Sequence, residues 1–130
     1  MLTSLAIRDV VLIERLDLAF GPGLTVLTGE TGAGKSILLD SLGLALGMRA
    51  DSGLVRAGQA QASVAAAFSV AADHPARAIL VEQGIEAEDE LVLRRVVTAD
   101  GRSRAFANDQ PVGLTLLRRL GALLVEVQGQ

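Results

Sequence analysis

Residues 24–28 read Leu24-Thr25-Val26-Leu27-Thr28, residues 29–36 read Gly29-Glu30-Thr31-Gly32-Ala33-Gly34-Lys35-Ser36, and residues 37–42 continue Ile37-Leu38-Leu39-Asp40-Ser41-Leu42. The middle block is a complete G-x-x-x-x-G-K-[ST] match. A β-favouring run leads directly into it. From Ser36 to Leu46 the chain is apolar nearly all round, which predicts a buried helix with Gly47 as its stop. Strand, glycine loop and helix together read as a phosphate loop. The glycines let successive backbone N–H groups curl toward phosphate oxygens, and the helix start adds its dipole and unpaired N–H groups. Gly29, Glu30, Thr31, Gly32, Ala33, Gly34, Lys35 and Ser36 are thus the candidate nucleotide-binding residues. In this arrangement the N–H groups of residues 30–36 cradle phosphates, Lys35 reaches the β- and γ-phosphates, and the Ser36 hydroxyl ligates Mg²⁺.

Lys35 is the only lysine in the chain; the other 11 of the 12 basic residues are arginines. A GC-rich coding bias explains the arginines but not the position of the lysine. A compact ammonium and a planar guanidinium are not interchangeable in a tight phosphate site.

Working outward, 130 residues suit one domain able to bury a core. An apolar fraction of 50% with a net charge of −3 excludes disorder. The chain has no cysteine and one histidine, His74, which excludes disulfides, thiolate metal sites and His-cluster metal chemistry. Phe20, Phe68 and Phe106 are the only aromatics, too few for a base-stacking platform. No apolar run reaches the roughly 18 residues of a membrane span. Arg8, Asp9, Glu14, Arg15 and Asp17 interrupt any signal-peptide core, so a soluble, cytoplasmic chain is expected.

Before the phosphate loop, Leu2–Ile7 and Val10–Phe20 read as strands and 21–23 as a Gly-Pro-Gly turn. After it, 48–61 read as loop and Val64–Val70 as a strand. Pro75 stands at the first position of a helix running to about Gln83 and closed by Gly84. The acidic group Glu86, Glu88, Asp89 and Glu90 reads as a solvated loop. Leu91–Thr98 and Arg102–Ala107 flank an Asp100-Gly101 hairpin turn, Pro111–Leu120 reads as a helix and Leu123–Val127 as a strand. Arg94, Arg95, Arg102 and Arg104 around the hairpin suit either DNA phosphates or charge protection of an exposed edge. Leu123-Leu124-Val125-Glu126 has the hydrophobic-then-acidic form of a Walker B strand, and a compact, kinase-like P-loop enzyme using Glu126 is the alternative it raises.

Thr28–Ser36 with Ile37–Leu42 resembles the opening of the RecN family of bacterial DNA-repair ATPases, relatives of the SMC proteins in the ABC ATPase superfamily. The resemblance continues through Leu46–Ala50, Leu54–Gly58, Leu93–Val97, Gly101–Phe106 and Val125–Gln130. It implies an α/β P-loop NTPase of ABC/SMC type, with an antiparallel β portion packed on the P-loop core. Residues 1–130 would be the N-terminal lobe of an ATPase head. The coiled coil and the C-terminal lobe, with signature motif, Walker B and catalytic glutamate, lie elsewhere in the polypeptide. The family's His-Gly-Gln stands here as Gln128-Gly129-Gln130. Gln130 then matches the Q-loop glutamine that approaches Mg²⁺ and the attacking water, and Gln128 is the other register. Arg56 resembles the SMC R-loop arginine near nucleotide and the facing head. The implied ligands are ATP and Mg²⁺. The implied partners are the C-terminal lobe, a second head sandwiching ATP, and DNA with double-strand breaks or ends, at the bacterial nucleoid. Whether hydrolysis drives repair or only times the opening of a clamp is left open.

Overall fold

The computed structural model describes residues 2–19, 32–50, 52–86 and 90–129, apart from the side chains of residues 32–36, 52 and 125–129. The expected strand at 24–28, the turn at 21–23, the first part of the phosphate loop and Gln130 lie outside the described residues, as does most of the acidic group.

The N-terminal strands form a hairpin, β1 (Leu2–Val10) with β2 (Ile13–Ala19). The continuous run expected over 10–20 is broken at Val11-Leu12. Helix α1 (Gly32–Ala45) follows, then a 3₁₀ turn (Ser52–Leu54), β3 (Gln61–Ser69), α2 (Pro75–Glu82), β4 (Glu90–Thr98), β5 (Ser103–Ala107), β6 (Gln110–Val112) and α3 (Leu114–Gly129). One six-stranded sheet has the order β2-β1-β3-β4-β5-β6, with every neighbouring pair antiparallel. The antiparallel β portion implied by the resemblance is this sheet.

Alternation places Leu5 and Ile7 opposite Ala66 and Val64 of β3, and these opposite Leu93 and Arg95 of β4. That face is buried and carries the core, with Phe68, Leu91, Ala105 and Ala107 alongside. Leu44 and Ala45 of α1, Ile79 and Leu80 of α2, and Leu117, Leu120 and Leu124 of α3 complete the same cluster.

Helix α2 follows its sequence signals. His74 is the N-cap, its Nδ1 accepting from the Ala76 N–H at 3.0 Å, and Pro75 opens the helix. Gly84 takes φ +73° after its end. The β4–β5 hairpin is one residue longer than a two-residue turn. Thr98 N–H donates to Arg102 O and Gly101 N–H to Thr98 O, with Gly101 at φ +94°, so Ala99-Asp100-Gly101 form the loop.

The C-terminal part departs from expectation. Pro111 and Val112 belong to β6, an edge strand where a missing N–H is tolerated. Leu123–Val127 is helix, not strand. Leu117, Leu120, Gly121 and Leu124 recur on the buried face of α3, so helical periodicity set by the preceding turn overrides the local β preference of Leu-Leu-Val-Glu-Val.

Candidate functional site

The last five motif residues, Gly32 to Ser36, form the start of α1. A 14-residue helix thus begins inside the motif, four residues earlier than the Ser36 start expected from sequence. Its first N–H groups have no intrahelical acceptor and are free to meet an anion.

The opposite end of α1 is fixed by a closed set of hydrogen bonds. Met48 N–H donates to Gly43 O at 2.9 Å and Gly47 N–H to Leu44 O at 3.1 Å, with Gly47 at φ +100°. This is the paired 6→1 and 5→2 pattern of a Schellman motif. Arg95, only 2% exposed, reaches across from β4: its Nη1 donates to Met48 O at 2.8 Å and Leu44 O at 3.1 Å. Its Nε and Nη2 donate to Ser103 Oγ at 3.3 and 3.2 Å. From α3, Arg118 Nε donates to Gly47 O at 3.1 Å. Burial, and then the nearby Arg118 cation, lower the Arg95 pKa below its ordinary value. A guanidinium nevertheless stays protonated. Two cations thus face the negative end of the α1 dipole.

Arg95 is therefore neither an edge charge nor a DNA contact: it points into the core-facing side of the sheet. The periodicity Leu91, Leu93, Arg95, Val97 was the available signal, because alternate residues of a strand share a face. Of the other arginines near the hairpin, Arg94 lies over the Phe106 ring, 4.1 Å from its centroid. Arg102 sits in the turn with Nε 3.6 Å from Asp100, and Arg104 is exposed on β5.

Arg56 follows a 3₁₀ turn and a one-residue bridge rather than a plain loop. Val11 N–H donates to Leu54 O at 2.7 Å, Val55 bridges Val10, and Arg56 N–H donates to Asp9 O at 2.8 Å. The guanidinium Nη1 stands 3.8 Å from Asp9 Oδ1, both side chains about one-third exposed. Asp9 and Val11 hold left-handed φ values of 55° and 51°. For β-branched Val11 that conformation is costly and is sustained by its surroundings. The sequence gave no sign of Asp9 as the partner of Arg56.

Gln128 lies in α3, and Gln130 follows it directly in sequence. Glu126 is also within α3. A Walker B acid ends a strand beside the phosphate loop, so the kinase-like alternative that rested on Glu126 is overturned. His74 is occupied as a helix cap. Among the described residues no group of three or more His, Asp or Glu side chains is placed to hold a metal, and no helix is long and apolar enough to cross a membrane.

This architecture, with a phosphate-loop helix packed on an antiparallel sheet, defines an ATPase of the P-loop class, and the chain belongs to the AAA-domain family, whose model matches residues 4–112. Within that class it is similar to the DNA repair protein RecN of Xylella fastidiosa (strain 9a5c), 46% identical over the whole of this chain and 23% of the relative. It is also similar to RecN of Bacillus subtilis (strain 168), 43% identical over the whole chain and again 23% of the relative. The chain thus spans about a quarter of the length of these curated relatives. Among solved structures, an SMC ATPase described for its ATP-driven dimerisation and DNA-stimulated activation superposes with a TM-score of 0.73. It is 25% identical, over 95% of this chain and 79% of that one. The Smc head domain from Pyrococcus furiosus, at 21% identity and a TM-score of 0.70, shares the fold over 95% of this chain and 33% of its own. The fold is that of an SMC-type ATPase head.

Proposed function

We propose that residues 1–130 are the ATP-binding N-terminal lobe of an SMC-like ATPase head that couples ATP binding and hydrolysis to repair of DNA double-strand breaks. The observation that carries this reading is the start of α1 inside the G-x-x-x-x-G-K-S motif, with the chain's single lysine in its first turns. Full-length similarity to RecN proteins supports the repair role.

In this reading the N–H groups of residues 30–36 hold the phosphates and Lys35 neutralises charge between the β- and γ-phosphates. The donor set suits Mg²⁺, a hard cation that takes oxygen ligands such as the Ser36 hydroxyl and the Gln130 amide oxygen. When bound, Mg²⁺ bridges phosphate oxygens and offsets their charge. Gln130 helps to order the attacking water, and Arg56 faces nucleotide and a second head. The C-terminal lobe of the same polypeptide supplies the general base and the signature motif, so the isolated segment turns over negligibly. DNA with breaks or ends is the substrate of the whole protein, acting at the nucleoid.

The test is Lys35→Ala in the full-length protein. ATP binding or hydrolysis is lost while the unfolding transition stays where it was. A folded variant with full ATPase activity refutes the assignment.

A further inference from the structure

We infer that the contact between the C-terminal end of α1 and the middle of α3 is a positioning device, which sets Gln130 relative to the phosphate loop. The inference rests on the role of Gln130 proposed above. It starts from two glycines, one on each element, that bring backbone against backbone. A Cβ added at Gly121 would lie 2.5 Å from Leu46 O and 3.0 Å from Leu46 Cβ. A Cβ added at Gly47 would lie 2.8 Å from the Arg118 backbone N and 2.9 Å from its Cα, and Gly47 is also left-handed. Neither position has room for any other residue. Gly113, at the entrance to α3, has nothing within 4 Å of such a Cβ, so crowding is specific to this junction.

The junction is also locked by polar contacts. Arg118 Nε bonds Gly47 O across it, and Arg95 ties Leu44 O and Met48 O of the same turn to β4. Helix α1 therefore has one end in the phosphate-loop motif and the other held against α3. Beyond Gly121, α3 continues to Gly129, the residue before Gln130. Those eight steps span roughly 12 Å at a helix rise of about 1.5 Å per residue. A helix transmits displacement as a rod. To relieve a 2.5 Å contact to ordinary van der Waals distance, a methyl at Gly121 must move α3 away from α1 by on the order of 1 Å. Misplacement on that scale far from the chemistry can cost about 100-fold in rate. Positions 47, 118 and 121 touch no reacting atom; they act through the spacing of two helices.

The experiment uses the full-length protein, with Gly121→Ala, Gln130→Ala, the double variant, and Gly113→Ala as control. Steady-state ATPase, equilibrium binding of a fluorescent ATP analogue with Mg²⁺, and thermal unfolding are read for each. The expected result is a kcat at least tenfold lower in Gly121→Ala, assayed where the protein is folded, with nucleotide Kd changed less than threefold. The double variant should be no more than twofold slower than Gln130→Ala alone, and Gly113→Ala should match the parent. Two outcomes overturn the inference: a Gly121→Ala that only unfolds earlier while keeping its kcat, or losses that multiply in the double variant. A Gln130→Ala with the parent's rate overturns the role of Gln130 and the inference with it. A slow Gln130→Ala beside a fast Gly121→Ala overturns the inference alone. Should Gly121→Ala fail to fold, Arg118→Gln decides, since it removes the bond to Gly47 O without adding bulk to the seam. Its kcat should fall at least threefold with Kd unchanged and recover partly in Arg118→Lys; an unchanged kcat overturns the inference.

Discussion

Arg95 shows what one buried charge can hold together. It has no carboxylate among its hydrogen-bond partners; two helix carbonyls and a serine hydroxyl surround it. Removing the guanidinium leaves those acceptors buried and unpaired, at about 1–3 kcal/mol for each such group. We expect Arg95→Met to lower stability by about 3 kcal/mol in urea unfolding. Arg95→Lys should recover little, because an ammonium cannot span acceptors on three sides. Arg104→Ala, on the exposed side of β5, should stay within about 0.5 kcal/mol. His74 gives a second expectation. Its pKa is lowered, chiefly by burial, from an ordinary value of 6.5. Between the folded and unfolded values the unfolded chain binds more protons, so stability rises with pH there. Cap stability is thus complete above about pH 6.5 and is lost as pH falls through the lowered folded pKa. A pH series of melting temperatures should show this step, and His74→Asn, which caps without titrating, should flatten it.

At the scale of elements, the turn between β1 and β2 and the segment around Arg56 behave as one unit. Val11 donates to Leu54 O, and Asp9 presents its carbonyl to Arg56. Val11→Pro removes that donor and forbids the left-handed φ, so about 3 kcal/mol or more should be lost. Amide exchange at Arg56 should accelerate with it. Asp9→Asn keeps a residue type that tolerates the turn and removes only a pair 3.8 Å apart and partly exposed, worth less than about 1 kcal/mol. What could be read from sequence follows the same division. Helices α1 and α2 were legible because their boundaries carry local chemistry, Gly47 at one and His74-Pro75 at the other. Strands β3 to β5 were legible from alternation and the Asp100-Gly101 turn. The hairpin between β5 and β6 was missed although Asn108 and Asp109, both with positive φ, form its two-residue turn. Helix α3 was misread because Leu123–Val127 viewed alone favours a strand, and only its phase with Leu117 and Leu120 makes it helical. The candidate site was legible where a motif is contiguous, at 29–36. The seam of Gly47, Arg118 and Gly121 was not, since no local pattern announces a close approach between distant segments.

The molecule as a whole presents one lobe of the proposed head, and the next expectations belong to assembly. If γ-phosphate contacts exist only between two closed heads, ATP binds that state better and shifts the equilibrium toward it. A protein joining both lobes, with its catalytic carboxylate mutated, should dimerise in ATP and Mg²⁺ by light scattering, and residues 1–130 alone should not. A monomer at saturating ATP would refute the two-headed mechanism. Arg56→Ala should reduce ATPase activity more than nucleotide binding. The pairing of β1 with β3 carries a different consequence, one of folding order. Ile7 lies opposite Val64, so the phosphate-loop motif and α1 are contained in the segment that must be looped out before these strands meet. Closing that loop costs entropy before any ladder bond repays it. Strands β3, β4 and β5, joined by short-range connections, can assemble first, and β1 then docks onto a preformed edge. On an emerging chain, the first strand made is among the last to find its place, and the nucleotide-binding helix acquires its floor only then.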